Sequence, residues 1–284
     1  MENLNGWLNV SKEKGITSHD LVYKVRKALK IKKVGHAGTL DPLATGVMVI
    51  AVGKATRLIR FLTETKAYKA EIYLGITTST LDAEGEIIKQ TEVNVTEEQV
   101  VNIIRKYTGK IKQIPPMASA VHHNGIRLYQ LARQGIEVER AARDVEIFSI
   151  KLLSFKSPKI EIEVKCQSGT YIRTLADDIG NELACGAHLS KLERIEANEI
   201  FDIKHSLIVT EISPEQLLQL DFPLINLPEI RLDKLESARY IQGQYLTLPE
   251  INLQEQFIRV YNENNQLLGI GYYENNRLIP KVNL

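Results

Sequence analysis

The stretch GHAGTLDPLATG at residues 35–46 decides how the rest of the chain is read. Three glycines, Asp41-Pro42 and Thr45-Gly46 within twelve residues imply a tight, defined loop between a helix and a buried strand. Pro42 restricts Asp41 to an extended backbone, so its carboxylate leaves the loop instead of capping a helix. A carboxylate held there can be a nucleophile, a general base or simply an Asx-turn residue. No Gly-Lys-Ser/Thr follows the glycines, so the stretch is not a phosphate-binding loop.

Upstream, Thr17 and Asp20 have the spacing of a capping box, and Leu21, Val22, Val25, Ala28 and Leu29 form one apolar helix stripe. The other faces carry Lys24, Arg26, Lys27 and Lys30. Downstream, Val47 to Val52 reads as a buried strand and Ala55 to Leu62 as a short basic helix with Arg57 and Arg60. Tyr68, Ala70, Ile72 and Leu74 alternate on one face of a strand, and Thr77 to Gly85 is a turn-rich loop ahead of another. A second helix is predicted from Thr96, whose capping partner is Gln99, to a stop at Gly109.

Residues 113–143 hold Pro115-Pro116, Asn124-Gly125 and several arginines, which predicts a protruding insertion with a short helix around 127–134. Strands are expected at 145–152 and 159–166, then a helix from Ser168-Gly169-Thr170 to near Gly186. Ser213-Pro214 predicts a last helix, and Pro223 marks a domain boundary, giving units of 1–223 and 224–284. Short strands at 256–261, 266–273 and 277–282 make the second unit a small, mainly β appendage.

With 284 residues, 44% hydrophobic and 25% charged, the composition is that of a soluble globular protein of one large domain, or one large and one small. No apolar run approaches the roughly 20 residues needed to span a bilayer, and MENLNGWLNV lacks a secretory layout. A cytoplasmic protein without membrane contact is expected. Cys166 and Cys185 read as reduced thiols, not as a disulfide framework or a metal site. The net charge of +1 conceals an asymmetry, because residues 1–69 hold thirteen Lys or Arg against five Asp or Glu. Such a basic N-terminal third suits a polyanion, although the same charges would equally solvate helix faces.

The whole string GHAGTLDPLATGV closely resembles the signature of the TruB family of tRNA pseudouridine synthases. TYIRTLADDIG at 170–180 followed by GAHLSKLERI at 186–195 is similar to that family's second motif. AYKAEIYLG at 67–75, TLDAEG at 80–85 and LYQLARQGIEVER at 128–140 match further family segments in the same order. The likeness covers about 1–200 closely and the remainder loosely.

This resemblance implies an α+β fold: a mixed, mainly antiparallel sheet with flanking helices, followed by a small β-rich PUA-like RNA-binding domain. It makes Asp41 the catalytic carboxylate, Arg173 its ion-pair partner and Tyr68 the aromatic that stacks on the target base. Independently, a cation at the start of a helix is disfavoured by the helix dipole, so a plain surface role explains Arg173 poorly. By the same resemblance Tyr171 and Leu192 line the uracil pocket, His36 fills the space the base vacates, and Asp82 is a loop carboxylate near the substrate. The substrate implied is the T arm of tRNA, whose uridine at position 55 is flipped out and isomerised by a stand-alone monomer. No metal, nucleotide or redox cofactor is needed, and no obligate protein partner.

Two segments depart from the family's pattern. Ser11-Lys12-Glu13-Lys14-Gly15 stands where an Asp-Lys-Pro-like start is common, and Ala118 and His122 replace the Tyr and Lys frequent in relatives. Three alternatives stay open on the sequence: a guide-RNA-dependent synthase acting on ribosomal RNA, an RNA-binding or RNA-folding protein, and an α+β scaffold without an RNA role.

Overall fold

The computed structural model describes residues 4–248 and 254–284, so the first three residues of the MENLNGWLNV start lie outside it. The chain opens with β1 (Gly6–Lys12) and helix α1 (Ser18–Leu29), capped by Thr17 and Asp20 in the expected reciprocal box. Then come β2 (Val34–His36), β3 (Thr45–Val52), β4 (Thr65–Leu74) and the small hairpin β5 (Ile76–Thr78) and β6 (Ile87–Gln90). Helix α2 (Glu97–Lys106) begins at the Thr96 cap with its Gln99 partner, and β7 (Gly109–Gln113) starts at the predicted glycine. The insertion carries β8 (His122–His123), β9 (Ile126–Arg127) and α3 (Leu128–Arg133). Strands β10 (Arg143–Lys156) and β11 (Lys159–Gln167), helix α4 (Ile172–Glu182), β12 (Ala187–Ala197) and β13 (Phe201–Asp202) complete the larger unit.

The main sheet runs β1-β3-β12-β4-β11-β10-β7, with β2 beside β3 and β13 beside β12. Every pair in it is antiparallel except β3 with β12. The expected mixed, mainly antiparallel sheet is therefore present. Strand β4 alternates as its sequence predicts: Ala70, Ile72 and Leu74 are buried and join the core with Leu21, Val22, Val25 and Leu29 of α1 and with Leu175 and Ile179 of α4, while Ala28 of the expected α1 stripe is exposed.

A second sheet of β14 (Glu229–Leu232), β15 (Leu246–Thr247), β16 (Gln256–Asn262), β17 (Leu267–Glu274) and β18 (Arg277–Asn283) follows, in the order β14-β16-β17-β18-β15. Helix α5 (Lys234–Ile241) packs on it through Tyr240. The sheet's other face sends Ile270 and Val282 into a cluster with Trp7, Val49, Leu58 and Phe201 of the larger unit.

Two expected helices are not there. Ala55–Leu62 forms two 3-10 turns, Gly53–Arg57 and Ile59–Phe61. Ala55 and Leu58, three residues apart, are buried by this tighter winding without a continuous helix. After Ser213-Pro214 only Pro214–Gln216 turns, because Leu218 is drawn into an extended bridge with Trp7 through Trp7 N–H to Leu218 O at 3.0 Å and the reverse bond at 2.8 Å. The appendage also holds α5, which its expected mainly β character omits.

Candidate active site

The 37–44 loop is held from two sides. Ser18 of α1 donates through Oγ to Leu40 O at 2.9 Å and accepts from Leu40 N–H at 2.8 Å. The buried Lys12 ammonium donates to the carbonyls of Glu13, Ile16 and Pro42. Ala44 N–H bonds Asp41 O at 3.0 Å, closing a turn with Pro42 at its second position, which the proline ring favours. On the sheet side Arg194 of β12, 1% exposed, donates from Nε to Val47 O at 2.6 Å and reaches Thr39 O and Gly38 O. Gly46 has φ of +98°, and a Cβ there would lie 2.3 Å from Arg194 O, so only glycine lets β3 come this close to β12.

Asp41 emerges from this loop into a cleft of about 280 Å³ lined also by Lys66, Tyr68, Tyr171, Arg173, Leu192 and Arg194. Arg173, at the second position of α4 and 5% exposed, places Nε 3.0 Å from Asp41 Oδ2. Its Nη1 lies 3.5 Å from Asp82 Oδ2 and donates to Thr80 O at 3.3 Å; Nη2 donates to Ala118 O of the insertion at 2.8 Å. The guanidinium thus ties the 37–44 loop, the 80–85 loop and the insertion together. Protein surrounds the Asp41 carboxylate, yet its side chain keeps 41% of its surface, and the residue lines the open cleft.

Burial pushes the Asp41 carboxyl above the usual carboxylate range; Arg173 pulls it back, Asp82 adds to the rise and Lys12 opposes it. The ion pair expected to keep this acid low therefore offsets only part of the desolvation. Tyr68, buried on β4 opposite Arg194, has its phenol raised by burial, with the Arg194 guanidinium pulling the other way. Its hydroxyl stays protonated near neutrality.

Tyr171 precedes the first turn of α4, and its backbone is clamped by buried Gln113: the Tyr171 N–H donates to Oε1 at 3.0 Å, while Nε2 donates to its carbonyl at 3.3 Å. Leu192 is buried on β12 and presents an apolar wall. Asp41, Tyr68, Tyr171, Arg173 and Leu192 thus share one cleft. Two other expected residues, His36 and Asp82, are not among those lining it. His36 ends β2, accepts Gly38 N–H through Nδ1 at 3.3 Å and meets His19 edge to face at 6.1 Å. Burial, reinforced by His19 and Arg194, lowers its pKa and favours the neutral ring. Asp82 is 3% exposed and accepts from Thr80 Oγ1 at 2.5 Å and from Glu84 N–H at 3.0 Å. It faces Arg173 instead of solvent.

The model for the N-terminal domain of the TruB family of pseudouridylate synthases matches residues 26–172, and the one for the TruB C-terminal domain matches 228–284. A tRNA pseudouridine synthase B of Dehalococcoides mccartyi is 44% identical over 277 residues, covering 94% of this chain and 92% of the relative. One from Clostridium acetobutylicum is 42% identical over 275 residues, covering 94% and 95%. The chain belongs to the TruB family of pseudouridine synthases. In fold it is similar to a chain of a Cbf5–Nop10–Gar1 complex, with a TM-score of 0.73 at 24% identity over 95% of this chain and 78% of the other.

Four buried polar residues around this TruB-family cleft escape a reading of the sequence. Lys66 donates to Asn198 Oδ1 at 2.9 Å, and burial together with Arg194 pushes its amine down to about 7. Lys12 is lowered by burial to about 8, with Asp41 pulling the other way. Arg194 and Gln113 hold backbone. Nothing in the sequence marks Lys12 or Arg194 as buried; for Lys66 the one signal is its place two residues before Tyr68, on the same face of the alternating strand. In the insertion, Arg140 is taken up by Pro115 O at 3.1 Å and Glu137 at 3.3 Å, and Arg133 lies over Tyr129. Arg127 and Arg133 are both exposed, whereas Arg140 is half-buried.

Proposed function

We propose that the chain isomerises the T-loop uridine of tRNA, at position 55, to pseudouridine, with Asp41 as the catalytic carboxylate. The observation that carries this reading is the Arg173–Asp41 pair at 3.0 Å in a cleft walled by Tyr68, Tyr171 and Leu192. The relatives' tRNA substrate supports the same assignment. The target uridine swings out of its stack at a cost of a few kcal/mol, offset by stacking on Tyr68 and by the apolar wall of Leu192. His36 moves into the space it leaves.

Asp41 then either attacks C1′, forming a bond that C5 later displaces to free the carboxylate, or removes the C2′ proton and returns it to C2′ as C5 joins C1′. In both routes the N1–C1′ bond breaks, the base turns, C5 joins C1′, and the C5 proton is lost as N1 gains one. Both routes start from ionised Asp41, which Arg173 favours, and Asp82 holds Arg173 in place. The exposed Arg127 and the cationic faces of α1 meet the RNA backbone. The enzyme acts as a cytoplasmic monomer without an obligate protein partner, and it divides at residue 223 into a catalytic domain and a PUA-like RNA-binding domain.

The test uses an unmodified tRNA transcript, the purified protein and Asp41→Asn, with pseudouridine mapped by carbodiimide labelling and primer-extension stops. A single T-loop stop, absent with Asp41→Asn, is expected. Tight T-arm binding without any stop would instead favour an RNA-binding role.

A further inference from the structure

Where the larger unit meets the second sheet, a cleft of about 370 Å³ is lined by Arg60, Phe61, Phe257, Tyr272 and Lys281. We infer that it is a stacking site for an unpaired nucleotide of RNA, an inference that rests on the RNA substrate read above. Phe257 stands at its centre, 5.0 Å from Phe61 and 5.1 Å from Tyr272, with interplanar angles of 73° and 67°. Arg60 lies 4.9 Å from the Phe61 centroid and Lys281 Nζ 5.4 Å from that of Tyr272.

The walls are fixed: Arg60 Nη2 donates to Lys281 O at 3.0 Å, and Arg57 donates to Asn283 O. Packing between the units is already provided by Ile270, Val282, Trp7 and Phe201. Phe257 lies on the sheet face that also carries Ile270 and is turned to the larger unit, yet it stays 38% exposed, an apolar surface that gains by being covered. Among the described residues no carboxylate lines the cleft, so its two cations are complementary to an anionic backbone. Aromatic faces with flanking cations bind single-stranded nucleic acid by stacking, with little preference among bases. The turn bearing Arg60 and Phe61 also abuts β2, the strand that leads into the 37–44 loop, since a Cβ on Gly35 would sit 3.6 Å from Ile59 Cδ1.

The test is binding of a fluorescein-labelled hexa-adenylate RNA to the full chain by anisotropy, with a 4-thiouridine version for crosslinking. Wild type is expected to bind and to crosslink at Phe257 or Tyr272. Phe257→Leu and Tyr272→Leu, which keep apolar volume, should each weaken binding about five- to hundredfold. Lys281→Gln, at an exposed site, should flatten the salt dependence, so the idea stays testable if a leucine variant folds poorly. Absence of binding, unchanged affinity in the variants, crosslinks confined to Tyr171 and its neighbours, or a self-association that Phe257→Leu dissolves would overturn it. Pseudouridine formation on a tRNA transcript is scored on the same preparation. Activity without hexamer binding sinks this inference alone; hexamer binding without activity sinks the functional reading alone.

Discussion

Arg173 Nε lies 3.0 Å from Asp41 Oδ2, and the same guanidinium reaches Asp82 Oδ2 at 3.5 Å, so one buried cation is shared by two carboxylates of different exposure. Asp41 lines the cleft, whereas Asp82 is closed in. The arrangement aims Asp41 while leaving its charge only partly compensated.

Replacing Arg173 by Ala removes the largest influence that lowers the Asp41 pKa. Turnover should fall by at least about 100-fold, the scale of losing a charge-stabilising partner in an active site. T-arm affinity should change several-fold at most. The acid limb of the pH–rate profile should move to higher pH, since the carboxylate then ionises later. Single-turnover rates and filter binding across pH 5–9 check both effects; equal losses in rate and affinity would count against the ion-pair role.

Asp82→Asn acts on the same acid from the other side. The Asp82 charge raises the Asp41 pKa, so the amide should move the acid limb to lower pH, opposite to Arg173→Ala. The rate on the plateau should still drop, because Asp82 helps to hold the Arg173 fork. A limb that moves upward in both variants would mean that geometry, not charge, sets the profile.

Those two predictions depend on residues of unequal legibility. Thr17 with Asp20 and Thr96 with Gln99 announce their helices because capping is local chemistry. Asp233 with Glu236 forms the same box before α5, so that helix too carries its cue in local sequence. The helix expected after Ser213-Pro214 failed because the Trp7–Leu218 bridge spans more than two hundred residues, and no local pattern encodes it. Asp41 and Arg173 were legible through their motifs, whereas the polar work of Lys66, Arg194 and Gln113 exists only once β4, β12 and α4 are brought together. The 3-10 turns at 53–61 satisfy the same apolar spacing as the expected helix, so periodicity alone does not separate the two.

Lys66 should make stability depend on alkaline pH. Its amine is near 7 in the folded chain against 10.5 as a free group, so between these values the unfolded chain binds more protons and stability rises with pH. The penalty for the buried charge is complete below pH 7 and gone above about 10.5. Lys66→Met removes this dependence. Urea midpoints for variant and wild type should therefore differ most in the variant's favour at or below pH 7, and the difference should shrink as the pH is raised towards 9.5. A constant offset over that range would show that Lys66 is not titrating in this window.

Gly46 is where backbone geometry meets the site most directly. Its φ of +98° and the 2.3 Å from a would-be Cβ to Arg194 O leave no room for a side chain, and the obstacle is backbone in the parallel pairing of β3 with β12. Gly46→Ala should cost about 3 kcal/mol, from the left-handed conformation and the overpacking together. Because Arg194 also holds Gly38 O and Thr39 O, the strain should be relieved by shifting the loop that aims Asp41. Urea unfolding measures the first effect and single-turnover pseudouridine formation the second. Gly38→Ala is the companion, since its φ is +117° but its Cβ would stop 3.7 Å from Arg194 Nη1, an ordinary contact. It should be less destabilised than Gly46→Ala, and equal losses would mean that conformation alone, without the close approach of β12, explains both glycines.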